Sequence, residues 1–345
     1  MEKPIELYTT SQLASVIADA GQPAYRTKQL LEWLYRRNAA SYDDMTNLPK
    51  ALREYLSTAA PLFHPLIVDR RISTDGTRKY VFELFDGQRV EAVGIPSLGS
   101  KDRLTVCFST QVGCSMGCRF CATGSEGYTR NLGPGEIIRQ IISVQDDMGR
   151  RVTNLVGMGQ GEPFFNYDNV LDALSLANGK NGLEIGARHI TVSTCGIIPG
   201  IERFSLEPQQ YTLAVSLHAA RQDVRDALMP RVSAFPLAQL KRALERYIDR
   251  TNRRVTFEYL LIDGVNDTDR DMKALEDYCK GLLCHINFLP MNAVETSPFQ
   301  PSPSSVVDRW LDYFNSRHIE ATVRSSRGSD IEGACGQLKN ALSKR

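Results

Sequence analysis

Cys114-Ser115-Met116-Gly117-Cys118-Arg119-Phe120-Cys121 places three thiols within eight residues, at spacings of four and three. Gly117 frees the backbone to wrap these thiols around one centre. Sulfur donors select soft cations or iron–sulfur clusters. The number of thiols is informative. A four-iron cluster held by three cysteinates keeps one iron open, whereas a structural zinc ion is closed by four protein ligands. No fourth ligand stands beside the three, so the stretch reads as a reactive iron–sulfur site. The alternative is a zinc loop that borrows a distant ligand such as His189 or Cys195.

The loop follows the strand candidate 104–110, and from there to the end the sequence alternates strand and helix. Further strand candidates are 153–158, 189–194, 211–217, 254–262, 284–289 and 319–324. Helical patterns lie between them at 135–148, 168–178, 236–249, 269–281 and 304–317. This alternation implies an α/β fold with a parallel sheet and right-handed crossovers, as an open sheet or a full or partial (β/α) barrel.

Ligands in such folds sit at the carboxyl ends of the strands, and the unusual residues collect there. The cysteine loop follows the first strand and Gly157-Met158-Gly159-Gln160-Gly161-Glu162-Pro163 the second. Ser193-Thr194-Cys195-Gly196 ends the third, Ser216-Leu217-His218 the fourth and Pro290-Met291-Asn292 the sixth. Arg324 and a glycine-rich loop, 328–336, with Cys335 follow the last. The glycine run lacks the Lys-Ser/Thr pair of a phosphate-binding loop. Glu162 suits a cationic amine better than a phosphate.

Taken singly, Cys107 reads as a small buried hydrophobe and Cys335 as a loop thiol. If a barrel forms, both approach one cavity, where two thiols permit thiolate attack and disulfide exchange. Cys195, Cys279 and Cys284 read as structural.

Upstream, 78–85 and 88–95 flank Asp86-Gly87, a hairpin signal. Glu91 shares a face with Val93 and Ile95. Its surroundings favour an edge position in water over a base in a dry site. Residues 1–60 read as three helices: one capped by Thr10-Ser11 and ending near Gly21, one over 25–38, and one from Pro49.

The 345 residues carry a net charge of +1, with 42% hydrophobic and 23% charged. Such a balance does not announce a nucleic-acid partner. Arg36-Arg37, Arg70-Arg71 and Arg150-Arg151 read first as solvated pairs. Eight cysteines are too few for a disulfide scaffold. No signal peptide or membrane span is expected, and a reducing cytoplasm is the expected location.

The cysteine loop, with an aromatic before its last cysteine, resembles that of the radical S-adenosylmethionine (SAM) superfamily. Nearly the whole chain resembles one family within it, the RlmN/Cfr RNA adenosine methyltransferases. The motifs are 25–33 with Met45-Thr46-Asn47-Leu48-Pro49, Gly87-Gln88-Arg89-Val90-Glu91, Ser109 to Cys114, Gly124 to Leu132, Gly161-Glu162-Pro163, and Arg327-Gly328 with Ala334 to Leu338. Gly161-Glu162-Pro163 and Gln111-Val112-Gly113-Cys114 are more similar to RlmN than to Cfr. Gln160 departs from the methionine of many relatives, with no effect expected on the chemistry.

The resemblance implies a partial (β/α)6-type radical SAM barrel over 100–345, an N-terminal helical RNA-binding domain over 1–62, and a β-hairpin region over 63–99. It implies one [4Fe-4S] cluster on Cys114, Cys118 and Cys121, and two SAM molecules per turnover. Gly161, Glu162, Ser193, Ser216, Leu217, His218 and Asn292 are the implied SAM contacts. Cys335 would carry the methyl group, Cys107 would release the product through a disulfide, and Glu91 would accept a proton, against the edge reading above. Methylation at adenosine C2 is implied for RlmN and at C8, with antibiotic resistance, for Cfr. The implied partners are 23S rRNA, tRNA and a flavodoxin or ferredoxin; a monomer is expected. Readings of other classes are a zinc-stabilised RNA-binding protein without catalysis and a radical SAM protein activase.

Overall fold

A computed structural model describes residues 3–98, 102–292 and 297–340. Three helices come first: α1 (Thr10–Asp19), α2 (Tyr25–Leu31) and α3 (Lys50–Ala59). The cap of α1 is Thr9 rather than Thr10-Ser11. Its hydroxyl accepts from the Gln12 N–H at 3.3 Å, and the Gln12 side chain accepts from the Thr9 N–H at 3.0 Å. The expected helix over 25–38 is shorter, because Glu32–Arg36 loosens into a π-turn.

A hairpin region follows, with strands β1 (Leu66–Ile72), β2 (Arg78–Glu83) and β3 (Arg89–Pro96). Next come β4 (Leu104–Cys107), β5 (Gln111–Gly113), α4 (Ala122–Glu126), β6 (Tyr128–Asn131) and α5 (Pro134–Met148). The chain then runs β7 (Asn154–Gly157), α6 (Tyr167–Asn178), β8 (Ile190–Thr194), α7 (Ile198–Phe204), β9 (Thr212–Ser216), α8 (Gln222–Leu228) and α9 (Leu237–Thr251). It ends with β10 (Val255–Leu261), α10 (Asp269–Cys279), β11 (Cys284–Pro290), α11 (Ser304–Asn315) and β12 (Ala321–Val323).

Ten strands form one sheet in the order β1-β2-β3-β4-β7-β8-β9-β10-β11-β12. The first four are antiparallel, and β4 onwards run parallel. Six β/α units therefore lead to the edge strand β12, and among the described residues β12 does not pair back to β4. Of the arrangements that the alternation left open, this is the partial barrel, the one that the family resemblance implied. On the central strands one face is apolar, with Ile190, Val192, Leu213, Val215, Phe257 and Tyr259, and the other carries polar side chains such as Thr191, Ser193, Ser216 and Glu258. Trp310 of α11 is fully buried, with ring centroids 5.5 Å from Tyr259 on β10 and 5.8 Å from Phe288 on β11.

The hairpin extends this sheet, so β3 is an interior strand flanked by β2 and β4. Glu91 is consequently fully buried. The edge-in-water reading of Glu91 is wrong, because period-two alternation cannot reveal which strands lie on either side. The short turn Ile5–Leu7, ahead of α1, docks on the start of α5 through close backbone approach. A Cβ at Gly135 would fall 2.5 Å from Glu6 Cα, and one at Gly133 2.6 Å from Leu7 Cα. The buried Glu6 carboxylate lies 3.8 Å from the buried Arg139 guanidinium of α5 and accepts from the Phe63 N–H at 3.1 Å.

Candidate active site

The cysteine loop hangs from the two-stranded sheet of β5 and β6, which sequence reading did not anticipate. The Cys114 N–H donates to Gly127 O at 2.7 Å, and Gly117 takes the left-handed conformation at φ 63°. Gly124 returns so close that a Cβ there would sit 2.8 Å from Cys118 O. The loop is thus folded tightly on itself by short-range contacts and glycine conformations.

Its far side is joined to the C-terminal loop. The Ala122 N–H donates to Gly336 O at 2.8 Å, and the Thr123 hydroxyl donates to Leu338 O at 2.6 Å. Cys335 immediately precedes the first of these ties, and the Asn292 amide donates to its carbonyl at 3.3 Å. The same loop is clasped from the other side by the β1–β2 turn. Arg327 and the Gly328 N–H bind Asp75 at 2.6 and 3.2 Å, and the Ser73 hydroxyl donates to Asp330 at 2.6 Å.

Cys107 and Glu91 reach one face of the sheet. Cys107 pairs in register with Val93, and Glu91 lies two residues from Val93 on the same strand. Residues spaced by two share a face, as do cross-strand partners. Burial pushes the Cys107 thiol up to about 11, with the Arg324 charge opposing. Cys335 keeps an accessible thiol, yet the protein around it likewise pushes it up to about 11; Arg324 opposes this and Cys107 adds to it. Both thiols therefore feel one cation, and Cys107 acts on Cys335. Arg324 was visible in the sequence only as a residue after the last strand.

The donor set fits a cluster. Cys114 and Cys121 are pushed up to about 12, first by burial and then by neighbouring thiols, so three thiolates gathered here call for a cationic partner. Among the described residues no group of three or more His, Cys, Asp or Glu could hold a single metal ion. A cubane separates its thiolate ligands more widely than one ion does. His189 precedes β8, at the end of the barrel opposite the cysteine loop, and pairs with Asn154 at 3.3 Å. Cys195 does stand beside the loop, where Cys118 is the first influence that pushes its thiol up.

The residues expected around SAM line the carboxyl ends of β7 to β11. Gly161 adopts φ 99° and passes tightly over Gln111, where a Cβ would lie 2.6 Å from that side chain. Glu162 is buried, its two oxygens accepting from the Cys195 and Phe164 N–H groups at 2.7 and 3.0 Å. A carboxylate oriented in this way retains lone pairs for an ammonium group. The Ser193 and Ser216 hydroxyls are 3.3 Å apart, and Leu217 is fully buried. His218 holds φ 55°, accepts from the Leu260 N–H through Nδ1 at 3.1 Å, and packs edge-on to Phe120 with centroids 4.7 Å apart. Burial keeps this imidazole neutral, pushed down to about 3.

Two further residues act on Glu91. The Gln160 carbonyl accepts the Glu91 N–H at 2.9 Å, and the Lys79 ammonium lies 3.4 Å from Glu91 Oε1. No local signal marks either contact, since one crosses 69 residues and the other depends on strand register. The basic pairs noted in the sequence are largely met by acids, among them Arg36 with Glu184, Arg71 with Glu332, and Arg150 with Asp102.

Comparison with known proteins gives a consistent result. Residues 108–275 match the family described as the Radical SAM superfamily, and residues 6–62 match the Ribosomal RNA large subunit methyltransferase N-terminal domain. A Clostridium perfringens (strain 13) protein described as "Probable dual-specificity RNA methyltransferase RlmN" is 41% identical over 98% of this chain and 96% of its own length. A Clostridioides difficile (strain 630) protein of the same description is 42% identical over 96% of each. A radical SAM methyltransferase of Sphaerobacter thermophilus has a similar structure, with a TM-score of 0.90 and 44% identity over 98% of this chain and 100% of the other.

Proposed function

The chain belongs to the RlmN family of radical SAM RNA methyltransferases, and from this premise we infer that it methylates C2 of adenosine in the peptidyl-transferase region of 23S rRNA and next to the anticodon of tRNA. Membership brings a [4Fe-4S] cluster, SAM and RNA with it. In this reading Cys114, Cys118 and Cys121 hold the cluster, while Gly161, Glu162, Ser193, Ser216, Leu217, His218 and Asn292 surround SAM. Residues 1–62 form the RNA-binding helical domain, 63–99 the hairpin region that brings Glu91, and 100–345 the catalytic barrel. The observation that carries the reading is the joining of the cysteine loop to the Cys335 loop through Ala122 and Gly336.

An adenine ring carbon is a poor nucleophile, so its methylation needs cofactor radical chemistry. When bound, the cluster supplies the electron that cleaves SAM to a hydrogen-abstracting radical, and it takes one electron back as the ring is restored. The Cys335 thiolate takes a methyl group from a first SAM, forming a thioether. A second SAM, held by Glu162 and its neighbours, would supply the radical chemistry to which this Cys335 methyl group would give up one hydrogen atom. The resulting methylene carbon bonds to adenine C2. Glu91 accepts the C2 proton while the C–H electron pair stays in the ring. The Cys107 thiolate then attacks the Cys335 sulfur. The S–S bond forms, the C–S bond breaks, and its electron pair goes to the methylene carbon, which takes a proton and becomes the product methyl group. A thiol reductant regenerates both cysteines. The electron donor in this reading is a flavodoxin or ferredoxin, and the enzyme works as a cytoplasmic monomer. Among the described residues no helix is long and apolar enough to cross a membrane.

Nucleoside mass spectrometry of 23S rRNA and tRNA, from cells with and without the gene, tests the specificity. Loss of 2-methyladenosine from both RNAs in the deletion strain is expected. Loss of 8-methyladenosine instead would assign the enzyme to Cfr-type chemistry and overturn the C2 reading.

A further inference from the structure

Lys79 is a lysine sealed in the protein interior. Its side chain and that of Glu91 are both 0% exposed. Lys79 Nζ lies 3.4 Å from Glu91 Oε1, and among the described residues neither atom has a hydrogen bond to any other group. A buried ammonium without a counter-charge is strongly disfavoured, so the pair exists because each ion needs the other. The strand register explains how they meet. Lys79 and Cys107 are the two cross-strand neighbours of Val93, one on each side, and Glu91 is diagonal to both. Lys79, Glu91 and Cys107 thus occupy one face of three adjacent strands.

We propose that Lys79 is the positioning residue of the proton-accepting step, holding the Glu91 carboxylate ionised and fixing Oε1 toward the adenine carbon. The proposal rests on the reading of Glu91 as proton acceptor. The other carboxylate oxygen, Oε2, is fixed by the Lys339 N–H at 3.0 Å, four residues beyond Cys335. Glu91 is therefore gripped on one side by the hairpin and on the other by the loop that carries the methylene group. In the step itself the proton moves from adenine C2 to Glu91, the electron pair of the C–H bond remains in the ring, and Lys79 keeps all its protons.

Besides Lys79 of β2, the charged groups around Glu91 are Arg71 of β1, Glu126 of α4, and Glu332 and Lys339 of the C-terminal loop. Glu332 binds both Arg71, at 2.9 Å, and Lys339, at 3.0 Å. Lys79 is the ammonium in direct contact with the Glu91 carboxylate. Burial raises Glu91 above its ordinary range, and Lys79 is the largest influence opposing that rise. Replacing Lys79 by a neutral side chain should move the acidic limb of the pH profile to higher pH, since the carboxylate must be ionised to accept a proton.

The test uses cluster-loaded enzyme with SAM, a chemical reductant and unmodified 23S rRNA, comparing Lys79→Met, Lys79→Arg and Glu91→Gln. Two events are followed in a single turnover: methylation of Cys335 by peptide mass spectrometry, and formation of methylated adenosine from RNA whose target adenosine bears protium or deuterium at C2. We expect Lys79→Met to methylate Cys335 at the wild-type rate. Methylated adenosine should form about ten- to a hundredfold more slowly in Lys79→Met, with a larger deuterium isotope effect and the shifted pH limb, and more slowly still in Glu91→Gln. Lys79→Arg should restore the rate in part. A wild-type rate and isotope effect in Lys79→Met, with Glu91→Gln slow, would overturn the role of Lys79 alone. A wild-type rate in Glu91→Gln would overturn the reading of Glu91 itself. Loss of Cys335 methylation in Lys79→Met would show that Lys79 merely supports the fold, and would also overturn the proposal.

Discussion

An enzyme carrying Cys107→Ala should perform the chemistry at the adenine carbon once and then stop, with the RNA covalently tethered to Cys335. The expectation follows from the order of bond changes. The carbon–carbon bond to adenine forms without help from Cys107. Breaking the bond between that carbon and the Cys335 sulfur requires a second sulfur to take the first. Cys107 shares the sheet face of Glu91 and its charge acts on Cys335, and no other thiol is assigned to that face. Turnover should fall by more than about a thousandfold, the scale seen when a covalent participant is removed from a group acting as a unit. On a denaturing gel a protein–RNA species should appear, collapsing after nuclease digestion to a Cys335 peptide that carries one modified nucleotide. Free methylated RNA at the wild-type yield would remove Cys107 from the mechanism.

Cys335→Ala should be inert in a different way. The methyl acceptor is gone, so neither the protein nor the RNA gains a methyl group, and activity falls again by more than about a thousandfold. No adduct forms. The Cys335 thiol is accessible, and substitutions at such positions usually change stability by less than about 0.5 kcal/mol. The iron content and thermal midpoint should therefore match the wild type, separating loss of chemistry from loss of fold. Methylated RNA formed at a wild-type rate by this variant would favour a radical SAM enzyme of another mechanism.

Much of this arrangement was legible because it is local or periodic. The alternation after residue 104 announces parallel strands, since consecutive parallel strands need a crossover and a helix supplies it. The spacing of Cys114, Cys118 and Cys121 is readable for the same reason: the three ligands lie on one short loop. Glu91 shows where such reading stops. Its strand was recognised, but its burial depends on β2 and β4 flanking β3, which is a fact of sheet order. Lys79 reads as an ordinary charged residue of a hairpin until register places it diagonal to Glu91. Gln160 was judged neutral to the chemistry as a departure from the family pattern, and the fold sets its side chain against the Glu91 backbone. Cys195, read as structural, stands against Cys118 because β8 ends beside the cysteine loop. The meeting of the Cys335 loop with Asp75 and Ser73 spans more than 250 residues and leaves no local trace.

The fate of the methyl hydrogens tests the central claim most directly. The enzyme is run through many turnovers in ordinary water with SAM bearing three deuteriums on its methyl group, and the methylated adenosine is weighed. If the carbon passes through Cys335 as a methylene, one deuterium is lost to the hydrogen-abstracting radical and one proton is gained from water, so the product methyl group carries two deuteriums. Three deuteriums in that methyl group would mean that it travelled intact from SAM to RNA, and the roles given to Cys335, Cys107 and Glu91 would fall together.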